Sequence, residues 1–182
     1  TPLVAEANGA RTPEKIATIA RQSLWVAFIL GSIAGLILQS MPLLLPLMGV
    51  PANLLPKASL FLHAIGFGMP AVTMYAALRG YSEALGHPRP VTVISLAALV
   101  LLVPLNFVFM YGFGPIPALG SAGCGFATAI LQWIMFFTLA TYIFKASAYQ
   151  KTQVFSTWEK MDRYWIERIL KLGLPIGLAI FF

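Results

Sequence analysis

Long stretches without a charged residue constrain this chain more than any other feature of its sequence. Four runs contain no Asp, Glu, Lys or Arg, at residues 22–56, 58–78, 90–144 and 172–182. A helix needs roughly 20 apolar residues to cross about 30 Å of hydrocarbon, and the first three runs are long enough for that. Only 10% of the 182 residues are charged, against about 25% in an average soluble domain. The sequence therefore predicts an all-α integral membrane protein.

Glycine and proline residues divide these runs into four complete spans and the start of a fifth. A polar lead-in occupies 1–22, and a second polar segment occupies 145–171. In this second segment we predict an amphipathic helix at the membrane interface, whose apolar side comprises Trp158, Met161, Trp165 and Ile169. The start of the next span is predicted at 172–182. We predict the four complete spans at about 23–48, 57–79, 91–111 and 121–144.

The distribution of Lys and Arg predicts how the spans are oriented. Eleven of the twelve lie in 1–22, 79–90 and 145–171, and only Lys57 lies in the segments on the opposite side. Cytoplasmic segments carry an excess of Lys and Arg. The three basic segments are therefore predicted on the cytoplasmic side, and the net charge of +6 reflects topology rather than nucleic-acid binding.

Small and polar residues recur along the spans at steps of three or four, which places them on single helical faces. In lipid, such faces pack against partner helices while Leu faces the acyl chains. On the first span this face comprises Ser32, Gly35, Gln39, Pro42 and Pro46. On the second it comprises His63, Gly66, Pro70, Thr73 and Ala77, and on the fourth Ser121, Gly125, Thr128 and Gln132.

The polar turn after the second span has the signals of a helix end. Arg79 and Glu83 are four residues apart and are predicted to pair. Gly86 is predicted to cap the helix, and Pro88 and Pro90 prevent it from continuing.

Asn106 is the first candidate for a functional site. It follows Pro104, whose ring removes a backbone donor and frees a carbonyl near Val100. A freed carbonyl and an amide oxygen could together coordinate a cation. The alternative is a hydrogen bond between helices, worth roughly 0.6–2 kcal/mol.

Four further residues are candidates for a substrate cavity. Within the four spans, His63 is the titratable group whose ordinary pKa lies near neutral, so it could carry a proton or bond a neighbouring helix. Gln39 and Gln132 could line a polar cavity or make packing contacts, and Pro70, which interrupts the second span, is the fourth candidate. An adaptable apolar wall is offered by Met41, Met69, Met74, Met135 and Phe136.

Other chemistries lack the residues they need. Apart from Lys57 and Arg79 at the two ends of the second span, the four spans contain no Asp, Glu, Lys or Arg. The sequence has no phosphate-binding G-x-x-x-x-G-K-[ST] loop and no cluster of metal ligands. Gly120-Ser121-Ala122-Gly123 is not a nucleophile elbow, and Cys124 has no second cysteine with which to pair. We expect neither an enzyme nor a bound cofactor.

Five stretches resemble one transporter family. They are TPLVAEANGAR, ALRGYSEALGHPRP, PLNFVFMYG, GPIPALGSAGCGFATAI and LKLGLPIGLAIFF, in that order along nearly the whole chain. Together they are similar to multidrug and toxic compound extrusion (MATE) transporters, in particular the NorM-like bacterial branch.

The resemblance implies a twelve-helix protein of two six-helix lobes in the bacterial inner membrane. The chain would then be an internal piece of the N-terminal lobe, with 145–171 linking it to the missing C-terminal lobe. The family exports small organic cationic drugs in exchange for Na⁺ or H⁺, so the resemblance implies a multidrug antiporter working by alternating access. Asn106 matches an N-lobe Asn near the family's cation site, whereas Leu102 replaces a second Asn found in many relatives.

Two alternatives to an antiporter stay open at this point. A lipid-linked precursor flippase of the same superfamily should carry basic residues in its cavity, and the four spans have none between their end residues. A membrane scaffold that transports nothing would use the same polar faces for packing alone.

Overall fold

The chain forms a bundle of long helices. The computed structural model describes residues 2–9, 13–47, 49–113, 117–149, 162, 164–169, 171 and 173. Its α-helices are α1 (Pro2–Gly9), α2 (Pro13–Ser40), α3 (Leu55–Ala84), α4 (Arg89–Tyr111) and α5 (Ser121–Lys145), with short 3₁₀ turns at Met41–Leu43 and Ser147–Tyr149.

Four helices in the described part are long and apolar enough to cross a membrane, at Lys15–Leu43, Leu55–Ala84, Arg89–Tyr111 and Ser121–Lys145. This confirms the all-α membrane fold with four complete spans. The fifth span expected at 172–182 lies outside the described residues apart from Gly173. Most of the amphipathic helix expected within 145–171 does so too, although residues 164–169 are helical.

The helix ends differ from the predicted spans because charge marks the edge of the hydrocarbon, not the end of a helix. α2 begins at Pro13, ten residues before the span predicted at 23–48. Ile16 and Ile19 of this extension are buried, so packing keeps the helix going past Arg21. α2 ends at Ser40, just before Pro42, which supplies no backbone donor.

The helices lie in the lateral order α2, α3, α5, α4. α3 packs against both α2 and α5, and α4 packs chiefly against α5. Arg21, Arg79, Arg89 and Lys145 lie at one end of the four helices, which we call the basic end. The other end of the bundle is called the opposite end.

Glycine lets α2 and α3 approach each other closely. A Cβ on Gly31 would come 2.7 Å from the Pro70 Cα, and a Cβ on Gly35 would come 2.5 Å from the Gly66 carbonyl oxygen. Thr73 adds a polar contact, since its hydroxyl donates to the Ala27 carbonyl at 2.7 Å. The small face predicted on these two spans is therefore the α2–α3 interface around Gly35, Gly66 and Thr73.

The predicted face of α5 is only partly correct. Gly125 is buried against α3, where a Cβ would come 3.0 Å from the Phe61 carbonyl oxygen. Ser121 and Thr128 of the same predicted face are exposed, and Ala129 is buried against Gly68 instead. Close packing in lipid needs small side chains more than hydroxyls, so alanine and glycine decide which side of α5 is buried.

The turn between α3 and α4 confirms two predictions. The Arg79 Nε donates to the Glu83 Oε1 at 2.8 Å, and both side chains are exposed. Gly86 has φ +78°, the left-handed conformation of a residue that follows a helix C-cap. His87 N donates to Ser82 O and Gly86 N to Glu83 O, both at 3.0 Å. These two bonds form a Schellman motif.

The main apolar core lies toward the basic end. It brings together residues from α1, α2, α3, α4 and α5 with Tyr149, which follows α5, and Trp165 and Ile169 pack against it partly buried. Its buried members are Val4, Ile16, Ile19, Ala20, Tyr75, Leu78, Tyr81, Val91, Leu139, Ile143 and Tyr149.

Candidate functional site

Asn106 carries the most distinctive polar atom of the bundle. It lies on α4, two residues after Pro104 in the interior of the helix, in the half of α4 nearer the opposite end. Its Oδ1 is buried and has no hydrogen-bond partner among the described residues. A buried acceptor left unsatisfied costs about 1–3 kcal/mol, so this oxygen is suited to receive a cation or a donor.

Pro70 lies inside the continuous helix α3 at mid-depth, and neighbouring helices contact the backbone just before it. Pro70 has no backbone N–H to offer the Gly66 carbonyl, and that carbonyl lies against Gly35. The Trp133 Nε1 of α5 donates to the adjacent Phe67 carbonyl at 3.3 Å. The structure thus places Pro70 in the α2–α3 contact.

Gln39 and His63 lie toward the opposite end. The Gln39 Cγ would stand 3.2 Å from a Cβ on Gly66, and His63 is one turn before Gly66 on α3. Both side chains are exposed. Gln132 is half-buried at mid-depth on α5.

The structure therefore brings together some of the predicted residues and not others. Gln39 lies close to the part of α3 that contains His63 and Pro70. Asn106 belongs to α4, which packs chiefly against α5, and Gln132 lies on α5 itself. Asn106, Gln39 and His63 share the half of the bundle nearer the opposite end.

Sequence reasoning missed an apolar groove at mid-depth. Its volume is about 640 Å³, and it is lined by Phe67, Ile130, Trp133, Ile134, Phe137 and Thr138. A second groove of about 590 Å³ shares Phe137 and Thr138 and reaches Lys145 at the basic end. The pattern of polar residues does not indicate a groove whose lining is apolar. Close aromatic spacing in Trp133-Ile134-Met135-Phe136-Phe137 is the signal that could have found them.

The aromatic side chains along this wall pack on one another. The Trp133 ring stacks on Phe137 with centroids 5.6 Å apart and meets the Phe136 ring edge-on at 6.1 Å. The Phe67 ring lies 6.0 Å from Trp133. Phe136, which the sequence offered as part of an adaptable apolar wall, belongs to this cluster.

Comparison with known proteins gives a consistent result. The MatE family model matches residues 1–108. A probable multidrug resistance protein NorM of Acinetobacter baylyi is 76% identical over 182 residues, covering 100% of this chain and 40% of that protein. The multidrug resistance protein PmpM of Pseudomonas aeruginosa is 38% identical over 183 residues, covering 100% of this chain and 38% of that protein.

A solved structure has the same fold. The crystal structure of the eukaryotic MATE transporter AtDTX14 matches with a TM-score of 0.79 at 20% identity, over 95% of this chain and 37% of that one. The chain thus spans about 40% of the length of the relatives it matches. With a family match over more than half of its residues, this chain belongs to the MATE family, in its NorM-like bacterial branch.

Proposed function

We propose that the protein exports small organic cationic drugs in exchange for Na⁺ or H⁺ by alternating access. The observation that carries this proposal is the 76% identity, over every residue of the chain, with a probable multidrug resistance protein. The chain lies in the bacterial inner membrane, as four membrane-length helices and its bacterial relatives indicate. The proposed transport cycle includes no enzymatic step. The bundle would act together with a C-terminal lobe of the same protein.

Asn106 is our candidate ligand for the coupling ion. Its buried Oδ1 is an oxygen acceptor without a partner in the described part of the chain, and an amide oxygen suits a hard cation such as Na⁺. The side chain of Leu102, one turn earlier on the same helix, supplies no polar atom. Asn106 would therefore act with groups outside this chain, and the acidic residues needed for coupling would lie there too.

The proposed function is tested by ethidium efflux from vesicles that contain the full-length protein. Efflux should require an imposed Na⁺ or H⁺ gradient, because an antiporter draws its driving force from the exchanged ion. Efflux that continues unchanged when both gradients are collapsed would contradict the proposal.

The role of Asn106 is tested by Asn106→Ala, with Asn53→Ala as the matched control because Asn53 is exposed between α2 and α3. A polar contact to a charged group contributes about 1.5–3 kcal/mol. Asn106→Ala should therefore raise the cation concentration that gives half-maximal efflux by about tenfold or more. An equal response of the two variants would remove Asn106 from the ion site.

Water accessibility distinguishes transport from a purely structural role. Single cysteines replace His63, Asn106 and Gln132 in a full-length protein whose Cys124 has been changed to Ala. A polar thiol reagent should label positions that line a wet cavity. Protection of all three positions would favour the scaffold alternative, in which these side chains pack in a dry interior.

A further inference from the structure

The chain that leaves α5 is attached to the basic end of the bundle at two points. The first is Tyr149, which is 2% exposed and is four residues beyond the last residue of α5. The second is Asp162, whose backbone N–H donates to the Gln22 Oε1 at 3.2 Å. Gln22 lies on α2 and is 1% exposed, so both attachments reach into the buried part of the bundle.

Tyr149 enters a polar niche at the end of α3. Its hydroxyl lies 2.6 Å from the Ser82 Oγ, and Ser82 is completely buried. Aromatic rings surround the phenol, with centroids 5.6 Å away at His87, 5.9 Å at Tyr81 and 6.3 Å at Tyr142. The niche therefore combines a specific polar contact with an aromatic wall.

The direction of the Tyr149–Ser82 hydrogen bond follows from the proton inventory. The Ser82 hydroxyl donates to the His87 carbonyl at 2.7 Å, and a carbonyl can only accept. Serine has a single hydroxyl hydrogen, which this bond uses. Tyr149 must therefore donate to Ser82, and the phenol, the serine hydroxyl and the His87 carbonyl form one chain of hydrogen bonds.

This hydrogen-bond chain makes Tyr149 dependent on the turn between α3 and α4. Ser82 also accepts the His87 N–H through its own carbonyl, in the Schellman motif closed by Gly86. The niche exists only while this turn is formed. A change in the turn would therefore be felt at Tyr149, and release of Tyr149 would loosen the turn.

The second attachment is supported by the local structure around Asp162. The Asp162 Oδ1 accepts the Tyr164 N–H at 3.0 Å, which caps the helical residues 164–169. Trp165 and Ile169 then pack partly buried against the main core. The segment beyond α5 thus touches α3 through Tyr149 and α2 through Gln22.

We propose that the basic end of the bundle is the docking surface for the connection beyond α5, and that Tyr149 is the positioning residue that registers this connection on the α3–α4 turn. The inference rests on the proposed alternating-access function. Movement of a second lobe relative to this bundle would pull on the connection, and its attachments pass that movement to α2 and α3.

Tyr149 is suited to repeated release. Its bond to Ser82 joins two neutral hydroxyls, and water can replace either partner when the niche opens. Loss of one neutral hydrogen bond shifts a two-state equilibrium by about 2- to 12-fold. Such a shift changes how often the connection is docked without unfolding the bundle.

The test uses the full-length protein in lipid nanodiscs and measures hydrogen–deuterium exchange of peptides covering 81–87 and 146–149. Tyr149→Phe and Ser82→Ala should each speed exchange in both peptides by about 2- to 12-fold. Adding Tyr149→Phe to Ser82→Ala should change exchange little further, because Ser82→Ala already removes the acceptor of the Tyr149 hydroxyl. Tyr111→Phe is the matched control, since Tyr111 is exposed at the opposite end.

Efflux measured on the same variants separates positioning from simple packing. Tyr149→Phe should change the maximal efflux rate and leave the half-saturating drug concentration unaltered. Unchanged exchange at 81–87 would overturn the docking, and faster exchange with an unchanged efflux rate would overturn the positioning role. Should the unmodified protein lack efflux, the proposed function fails, while the exchange data still decide whether Tyr149 docks as described.

Discussion

Gly35 of α2 and Gly66 of α3 meet backbone against backbone. A Cβ on Gly35 would stand 2.5 Å from the Gly66 carbonyl oxygen, and a Cβ on Gly66 would stand 3.0 Å from the Gly35 carbonyl oxygen. The Gly66 carbonyl is also the one that Pro70 leaves without its usual helical donor. The close approach therefore sets the Gly35 backbone against the carbonyl oxygen that the proline leaves without a donor.

Replacing Gly35 with Ala should separate the two helices and destabilise the protein. The added methyl has no space in front of the Gly66 carbonyl, and overpacking of this kind costs about 1–3 kcal/mol. Thermal unfolding of the full-length protein in detergent measures the loss as a lower midpoint. Gly9→Ala is the control, because nothing lies within 4 Å of a Cβ at Gly9. Equal midpoints for the two variants would contradict this packing.

Replacing Thr73 with Val should remove the hydrogen bond from the Thr73 side chain to the α2 backbone while keeping the shape of the residue. The bond from the Thr73 hydroxyl to the Ala27 carbonyl is 2.7 Å long, and such bonds in membranes average about 0.6 kcal/mol, with a maximum near 1.7. Unfolding should show a loss in this range, and Thr73→Ser should restore most of it.

Thr92→Val serves as the control for the same chemical change. The Thr92 hydroxyl donates to the Pro88 carbonyl one turn earlier, at 3.2 Å and in an exposed position. Its loss should cost less than that of the Thr73 hydroxyl. A larger loss at Thr92 would mean that the contact between α2 and α3 does not depend on Thr73.

Neutralising the Arg79–Glu83 pair should have little effect on stability. The two side chains are 56% and 43% exposed, and pairs of this kind contribute about 0.3–0.5 kcal/mol. Glu83→Gln should therefore lower the unfolding free energy by less than about 0.5 kcal/mol.

Exchanging Arg79 and Glu83 moves a positive charge along the turn, so we expect altered membrane insertion or gating with drug binding intact. Loss of drug binding in the exchanged variant would place the pair in the substrate site instead.

Charge and backbone breakers made the helices predictable, while their lateral packing was not. Runs without charge mark where the hydrocarbon lies, and Gly86 with Pro88 marks where α3 must end. Leu and Ala satisfy lipid and protein neighbours almost equally, so apolar periodicity does not say which face is buried. This is why Thr128 was assigned to the packed face of α5 although the structure buries Ala129 there.

The candidate site, like the fold, could be predicted from the sequence only in part. Asn106, two residues after Pro104, could be recognised from the sequence alone because an amide inside an apolar helix is rare. The buried and unpartnered Oδ1 needed the three-dimensional packing. Tyr149 was missed because one tyrosine after a span carries no sequence signal, and its partner Ser82 lies 67 positions away.

Raising the pH should weaken the attachment made by Tyr149. Burial raises the pKa of the Tyr149 phenol above its ordinary value of about 10. The hydrogen bond with Ser82 lowers this pKa, but by less than burial raises it. The Ser82 hydroxyl can donate to a Tyr149 phenolate only if it gives up its hydrogen bond to the His87 carbonyl. Because the pKa is raised in the folded state, the Tyr149 phenol of the unfolded chain loses its proton at a lower pH than that of the folded chain. The contribution of the protonated Tyr149 phenol to stability is therefore fully present below a pH of about 10. It declines as the pH rises from there toward the pKa of the folded state.

Thermal unfolding midpoints measured from pH 9 to about 11 test this pH dependence. The midpoint of the unmodified protein should exceed that of Tyr149→Phe by an amount that shrinks as the pH rises. Because every other tyrosine is present in both proteins, the difference isolates Tyr149, and a difference that stays constant would show that its phenol is not buried in solution.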